Sequence, residues 1–87
     1  MVKMYVRHTV ADFAKWKSIF DEHDSTRKSF GAKKSEAFTN SANPNEIIAV
    51  IDWDNKGQAI DFMEKSNLKT IMENGGVLTA PEVNFSE

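Results

Sequence analysis

The chain contains no cysteine. A disulfide framework, a thiolate metal site and a cysteine nucleophile are therefore excluded, and cytoplasmic residence is the expectation. Long apolar runs are also missing: no stretch approaches the ~18 residues of a membrane span. The opening residues Met1-Val2-Lys3-Met4-Tyr5-Val6-Arg7-His8 lack the apolar centre of a signal peptide. Nor is there a surplus of positive charge. Eleven Lys and Arg stand against 13 Asp and Glu, for a net charge of -2, and the longest basic cluster is Lys33-Lys34. A nucleic-acid partner calls for a basic stripe, so neither nucleic acid nor membrane is expected as a partner.

With 87 residues, 40% of them hydrophobic, the chain is long enough for one compact domain and too short for two, so residues 1–87 are read as a single unit. A domain of this length buries only roughly 60–65% of the surface its unfolded chain exposes. Further burial against another subunit would stabilise it noticeably.

Residues 2–9 alternate apolar Val2, Met4 and Val6 with Lys3, Tyr5 and Arg7, the period-2 pattern of a strand. From Asp12 the period changes. Phe13, Trp16, Ile19, Phe20, His23, Arg27 and Phe30 recur at helical spacing, so one amphipathic helix is predicted over 13–29, with Asp12 or Thr9 as its cap and Gly31 at its end. Residues 32–40 are polar and loosely alternating, as suits an exposed edge strand blunted by lysines. Residues 40–45, dense in Asn with Pro44, predict the turn of a hairpin. The following strand, 46–53, holds Ile47-Ile48-Ala49-Val50-Ile51 without alternation, so both of its faces should be dry.

Asp54 or Asn55 can cap a second helix carrying Ala59, Ile60, Phe62 and Met63. A break near Ser66-Asn67, a short turn with Leu68, Ile71 and Met72, and a stop at Gly75-Gly76 follow. Residues 77–85 return to extended character, and Pro81 places that strand at an edge or a bulge. The order strand, helix, strand, strand, helix, strand is an α+β βαββαβ arrangement. Short right-handed connections then give one four-stranded antiparallel sheet of order 4-1-3-2, with both helices on one face. Helices cover one face only. Ile48 and Val50 point away from Ile47, Ala49 and Ile51, so a second copy of the sheet, related by a two-fold axis, is the expected cover and the chain is expected to be a homodimer.

The chain resembles the dimeric α/β-barrel (ferredoxin-like) superfamily, which includes antibiotic-biosynthesis-type monooxygenases, small polyketide cyclases and stress-responsive barrel proteins. The residues that carry the resemblance are His8-Thr9-Val10, Asp12-Phe13 with Trp16-Lys17, Phe20-Asp21 with His23, Arg27 and Gly31, the Asn43-Pro44-Asn45-Glu46 turn, the strand 47–53, and Gly75-Gly76-Val77. It spans nearly the whole chain and implies a ligand cavity between sheet and helices and catalysis without metal or organic cofactor. The superfamily's haem-degrading branch places an Asn, a Trp and an axial His on the first strand and second helix. The second helix of this chain holds neither Trp nor His and its first strand has no Asn, and the chlorite-dismutase-like branch needs a much longer chain. One scaffold hosts many activities, so the resemblance points to fold more than to reaction.

The candidate catalytic residues are His8, His23 and Arg27. His8 shares a strand face with Val2, Met4 and Val6, and Trp16, His23 and Arg27 fall near one helical face. A neutral imidazole can take a proton from an activated carbon or phenol, and Arg27 can stabilise the resulting enolate. Each also has a plainer reading, as a hydrogen-bonded residue at the core rim or an arginine stem laid on the core. Trp16, Phe20, Trp53 and Phe62 are candidates to line a ligand pocket, or are simply core. Asp52 and Asp54 flank Trp53 without matching a ligand motif, and Asp54 is better read as a helix cap, so no metal is expected. Gly75-Gly76 precedes a strand, unlike a phosphate loop, and Met4, Met63 and Met72 are ordinary core filler.

Two functions are expected from this sequence. One is a cofactor-independent monooxygenase or cyclase acting on a small aromatic or polyketide-like molecule, with His8 or His23 as proton acceptor. The other is a non-catalytic dimeric binding or stress-response module with the same cavity. A common void bordered by His8, His23 and Arg27 would favour the first.

Overall fold

The structure is a computed structural model that describes residues 1–66, 76–78 and 81–87. The predicted turn with Leu68, Ile71 and Met72, together with Asn67 and Gly75, lies outside the described residues. Four strands, β1 (Val2–Thr9), β2 (Ala32–Asn40), β3 (Asn43–Trp53) and β4 (Glu82–Ser86), form one antiparallel sheet in the order β2-β3-β1-β4. This is the expected 4-1-3-2 arrangement. Pro81 sits just ahead of β4, an edge strand, where its missing N–H breaks no ladder. Val77, which the sequence places at the start of that strand, instead makes a separate bridge to Val10.

Register decides which residues are dry. Val2 pairs with Trp53, Met4 with Ile51, Val6 with Ala49 and His8 with Ile47, so all eight project from the same face. Six of the eight are buried apolar residues, His8 is buried with them and Val6 is partly buried. Lys3, Tyr5, Arg7, Ile48, Val50 and Asp52 occupy the opposite face. Salt bridges there link Lys3 to Asp52, Arg7 to Glu46 and Lys34 to Glu36.

The helical segment after β1 differs from the single helix predicted over 13–29. It is two helices, α1 (Phe13–Glu22) and α2 (Asp24–Ser29), broken at His23 (φ -92°, ψ 9°). The His23 backbone N–H and its ring Nδ1 both engage the Ile19 carbonyl, at 3.2 and 2.9 Å. The Phe20 carbonyl is taken up instead by the Arg27 guanidinium, whose Nη2 donates to it at 2.8 Å. Apolar periodicity runs through the break because Arg27 N–H still bonds the His23 carbonyl, at 3.1 Å. Of the two candidate caps for α1 it is Asp12 that acts, accepting from the Ala14 and Lys15 N–H groups.

Two other boundaries shift. The hairpin reverses over Ser41 and Ala42 alone, with the Asn40 side chain accepting from the Ala42 N–H, so β3 starts at Asn43 rather than 46. The second predicted helix, α3 (Lys56–Lys65), is capped by Asn55, whose side chain accepts from the Gln58 N–H at 3.0 Å. Asp54 is not the cap; its carboxylate pairs with Lys33 at 3.4 Å.

The core is in two parts. Met4, Ala32, Ile51, Trp53, Ala59 and Phe62 pack beneath α3, and Val10, Trp16, Ile47 and Ala49 beneath α1. Gly31 joins α2 to β2 with φ +110°, and a Cβ there would lie 2.5 Å from the Gln58 side chain, itself bonded to the Asp54 N–H. Gly31→Ala therefore combines left-handed strain with a clash and should destabilise the fold by about 1–2 kcal/mol in urea unfolding. A variant as stable as the parent would show that this junction relaxes freely.

Candidate functional site

Between the two core clusters lies a cavity of about 110 Å³, bounded by the sheet below and by α1 and α3 above. A single water needs roughly a tenth of that space. Val6, partly buried, packs against both clusters and forms part of the floor. Ala49, its cross-strand partner, contributes only a methyl group. Small and medium side chains at the middle of the sheet leave space that the helices do not fill.

The wall from α1 is a stack. Trp16 and Phe20 lie 4.8 Å apart and nearly parallel, the Arg27 guanidinium sits 3.8 Å above the Phe20 ring, and Phe13, which does not border the cavity, continues the stack 6.1 Å from Trp16. Spacings of three, four and seven residues put all four on the inner side of the helical segment. Arg27 is 4% exposed and largely committed: its Nε donates to Ser35 Oγ at 3.0 Å, its Nη2 to the Phe20 carbonyl, and Asp24 lies 3.6 Å away. Burial lowers its pKa, opposed by the charges of Asp24 and Asp21. The guanidinium is thus both the capping group of the helix break and a cation at the cavity wall.

His8 is the polar group of the floor. It is 6% exposed and meets the Trp16 ring edge-on at 5.6 Å. Neither ring nitrogen has a hydrogen-bond partner among the described residues. Burial pushes its pKa below 6.5, so at neutral pH it is an uncharged imidazole with one donor and one acceptor both unmatched. His23 borders the same cavity from the helix break, its Nδ1 tied to the Ile19 carbonyl.

The cavity therefore brings together His8, His23, Arg27, Trp16, Phe20 and Phe62. Trp53 is placed elsewhere. It is fully buried at the end of β3, 5.6 Å behind Phe62, and does not border the cavity; its indole Nε1 also lacks a partner among the described residues. Sequence reasoning did not single out Met4, Val6, Ala49, Ile51 or Val83 as lining residues. A signal for them was available in the alternation of β1, since Met4 and Val6 share the face of His8. Among the described residues no cluster of three or more His, Asp or Glu side chains could hold a metal ion, and no helix is long and apolar enough to cross a membrane.

By sequence, no protein family and no curated protein matches this chain. By structure there are many similar proteins. A provisionally assigned antibiotic biosynthesis monooxygenase from Bordetella bronchiseptica superposes with a TM-score of 0.85 at 12% identity, over 99% of this chain and 94% of that one. SnoaB from Streptomyces nogalater, described as a cofactor-independent oxygenase, gives 0.71 at 13% identity, over 99% and 90%. A similarly assigned monooxygenase from Deinococcus radiodurans gives 0.72 at 14% identity, over 100% and 91%. Identities this low speak for shape rather than chemistry. The chain thus has the ferredoxin-like α+β fold of the antibiotic-biosynthesis-monooxygenase structures.

Proposed function

We infer that the protein is a homodimer that binds a small aromatic or polyketide-like molecule between sheet and helices, and that it acts on it as a cofactor-independent oxygenase or cyclase. The observation that carries this reading is His8, a buried imidazole with both nitrogens unmatched at the edge of an apolar cavity. Burying a polar group unpaired costs about 1–3 kcal/mol, and a ligand that supplies the partner recovers it. The stacked rings of Trp16 and Phe20 favour a flat conjugated body against them. The description of SnoaB as a cofactor-independent oxygenase supports the oxidative branch.

The chemistry needs few groups. A histidine accepts an acidic proton from the ligand, the conjugated system spreads the resulting charge, and Arg27 stabilises it. Reaction of that carbanion with dioxygen converts a ring methylene to a carbonyl: one oxygen atom stays and the other leaves as water with the two hydrogens. A cyclase would direct the same carbanion onto a carbonyl of its own chain. Anthrone, a tricyclic ketone with an acidic methylene, is a suitable probe for an oxygen electrode. Uptake above the buffer rate, at one dioxygen per methylene converted, is expected. A protein that neither consumes oxygen nor quenches tryptophan fluorescence with this probe would overturn the reading.

The role of His8 has a consequence for stability. Its folded-state pKa lies below the 6.5 of the unfolded chain, so the unfolded state takes up the proton first. Its contribution is complete above pH ~6.5 and is lost progressively as the pH falls below that value. His8→Leu should therefore stabilise the fold by about 1–3 kcal/mol at pH 7. Its advantage over the parent should widen on acidification, while affinity for anthrone drops about tenfold. Urea unfolding at several pH values, paired with fluorescence titration, checks both.

The dimer reading rests on the uncovered face of the sheet. Tyr5, Ile48, Val50 and Phe38 form an apolar strip there, with Phe38 51% exposed. The salt bridges of Lys3, Arg7 and Lys34 with Asp52, Glu46 and Glu36 balance its charge, so two copies meet without net repulsion. Phe38→Glu leaves the chain's own core untouched and should turn a two-chain species into a folded single chain at micromolar concentration. Sedimentation equilibrium measures this, and a parent protein that sediments as a single chain would rule the dimer out.

A further inference from the structure

The three polar side chains that the described residues bring to the cavity are not equivalent hydrogen-bonding groups. Arg27 only donates, and its Nε and Nη2 are already engaged by Ser35 Oγ and the Phe20 carbonyl. His8 has neither nitrogen engaged among the described residues, so nothing there fixes which one carries the proton, and it can serve a donor or an acceptor equally. His23 differs from both. Its Nδ1 lies 2.9 Å from the Ile19 carbonyl oxygen, which can only accept, so Nδ1 bears the hydrogen. In the neutral ring Nε2 is then an acceptor, and it is the one hydrogen-bonding atom of His23 left for the cavity that the residue borders.

We propose that His23 Nε2 is the built-in acceptor of the cavity and selects ligands that carry a hydroxyl hydrogen, a phenol or an enol. The inference rests on the cavity being a ligand site and deepens that reading by dividing the labour of the two histidines. His23 reads the hydroxyl and is placed to take its proton. His8 adds affinity without choosing between donors and acceptors. The main chain enforces the division: the helix break that brings His23 to the cavity also points its Nδ1 at the carbonyl one turn back. Arg27, reaching over Phe20 from the next helix, stands ready to stabilise the oxyanion left once the proton has moved.

The test compares 1-naphthol with naphthalene and 1-methoxynaphthalene, read by tryptophan fluorescence on the full chain. The unsubstituted ring is smaller than the phenol, so a steric clash cannot explain weak binding of both hydroxyl-free probes. The parent protein should bind 1-naphthol about tenfold more tightly than either. His23→Leu should reduce that preference to within about twofold, whereas His8→Leu should weaken all three and keep the preference. Equal affinities in the parent, or a preference that survives His23→Leu, would overturn the proposal while leaving the cavity reading in place. If none of the three probes binds, the cavity reading fails and takes this proposal with it.

A second measurement needs no change at His23. The chain has only two histidines, so the His8→Leu variant labelled with ¹⁵N-histidine shows a single imidazole by NMR. In its neutral form that ring should carry its proton on Nδ1, and its Nε2 resonance should move with 1-naphthol and stay still with 1-methoxynaphthalene. The opposite tautomer, or an Nε2 signal indifferent to the phenol, would refute the assignment even if His23→Leu does not fold.

Discussion

The pairing of β1 with β3 is the constraint on which the rest of the molecule depends. With Val2 opposite Trp53 and His8 opposite Ile47, alternate residues of two central strands face the helices together. A shift of one position would send every one of them to the other side. That register dries the floor of the fold, and the same alternation carries an imidazole into it. Hydrophobic patterning and the placement of the buried imidazole are thus written in one strand. The penalty for an unmatched buried His8 is tolerable because the same face carries Ile47, Ala49, Ile51, Met4 and Trp53, all buried apolar residues.

The helical side supplies the complement through a local irregularity. A continuous helix would use the Phe20 carbonyl for its own ladder and leave His23 as one more turn. At the break that carbonyl passes to Arg27, the Ile19 carbonyl takes the His23 ring, and Ser35 on β2 ties the guanidinium to the sheet. The arginine therefore serves the backbone first. Its place beside the cavity follows from that duty, and its packing over Phe20 continues the aromatic wall.

Much of this was legible in the sequence, for identifiable reasons. Alternation in residues 2–9, the unbroken apolar run around Ala49 and the stripe from Phe13 to Arg27 are strong periodic signals, and they give element types, sheet order and the facing of His8. Boundaries were less legible. Asn43, Pro44 and Asn45 have turn composition yet lie in β3, because the reversal needs only Ser41 and Ala42. The break at His23 left no trace in periodicity, since hydrogen bonds on both sides of it keep helical spacing. Trp53 and Trp16 were indistinguishable by residue type. Position separates them: one closes the end of a central strand beneath Phe62, while the other projects from a helix over the gap between two clusters.

That gap bears on how the protein holds together in solution. Each cluster is small, one gathered under α3 and the other under α1, and at their boundary Val6 reaches both. A guest seated there would touch Trp16 and Phe20 on one side and Met4, Ile51 and Phe62 on the other, welding two modest hydrophobic bodies into one. Occupancy would then sharpen the cooperativity of melting as well as raise its midpoint, because neither half could loosen without releasing the guest that the other half also grips.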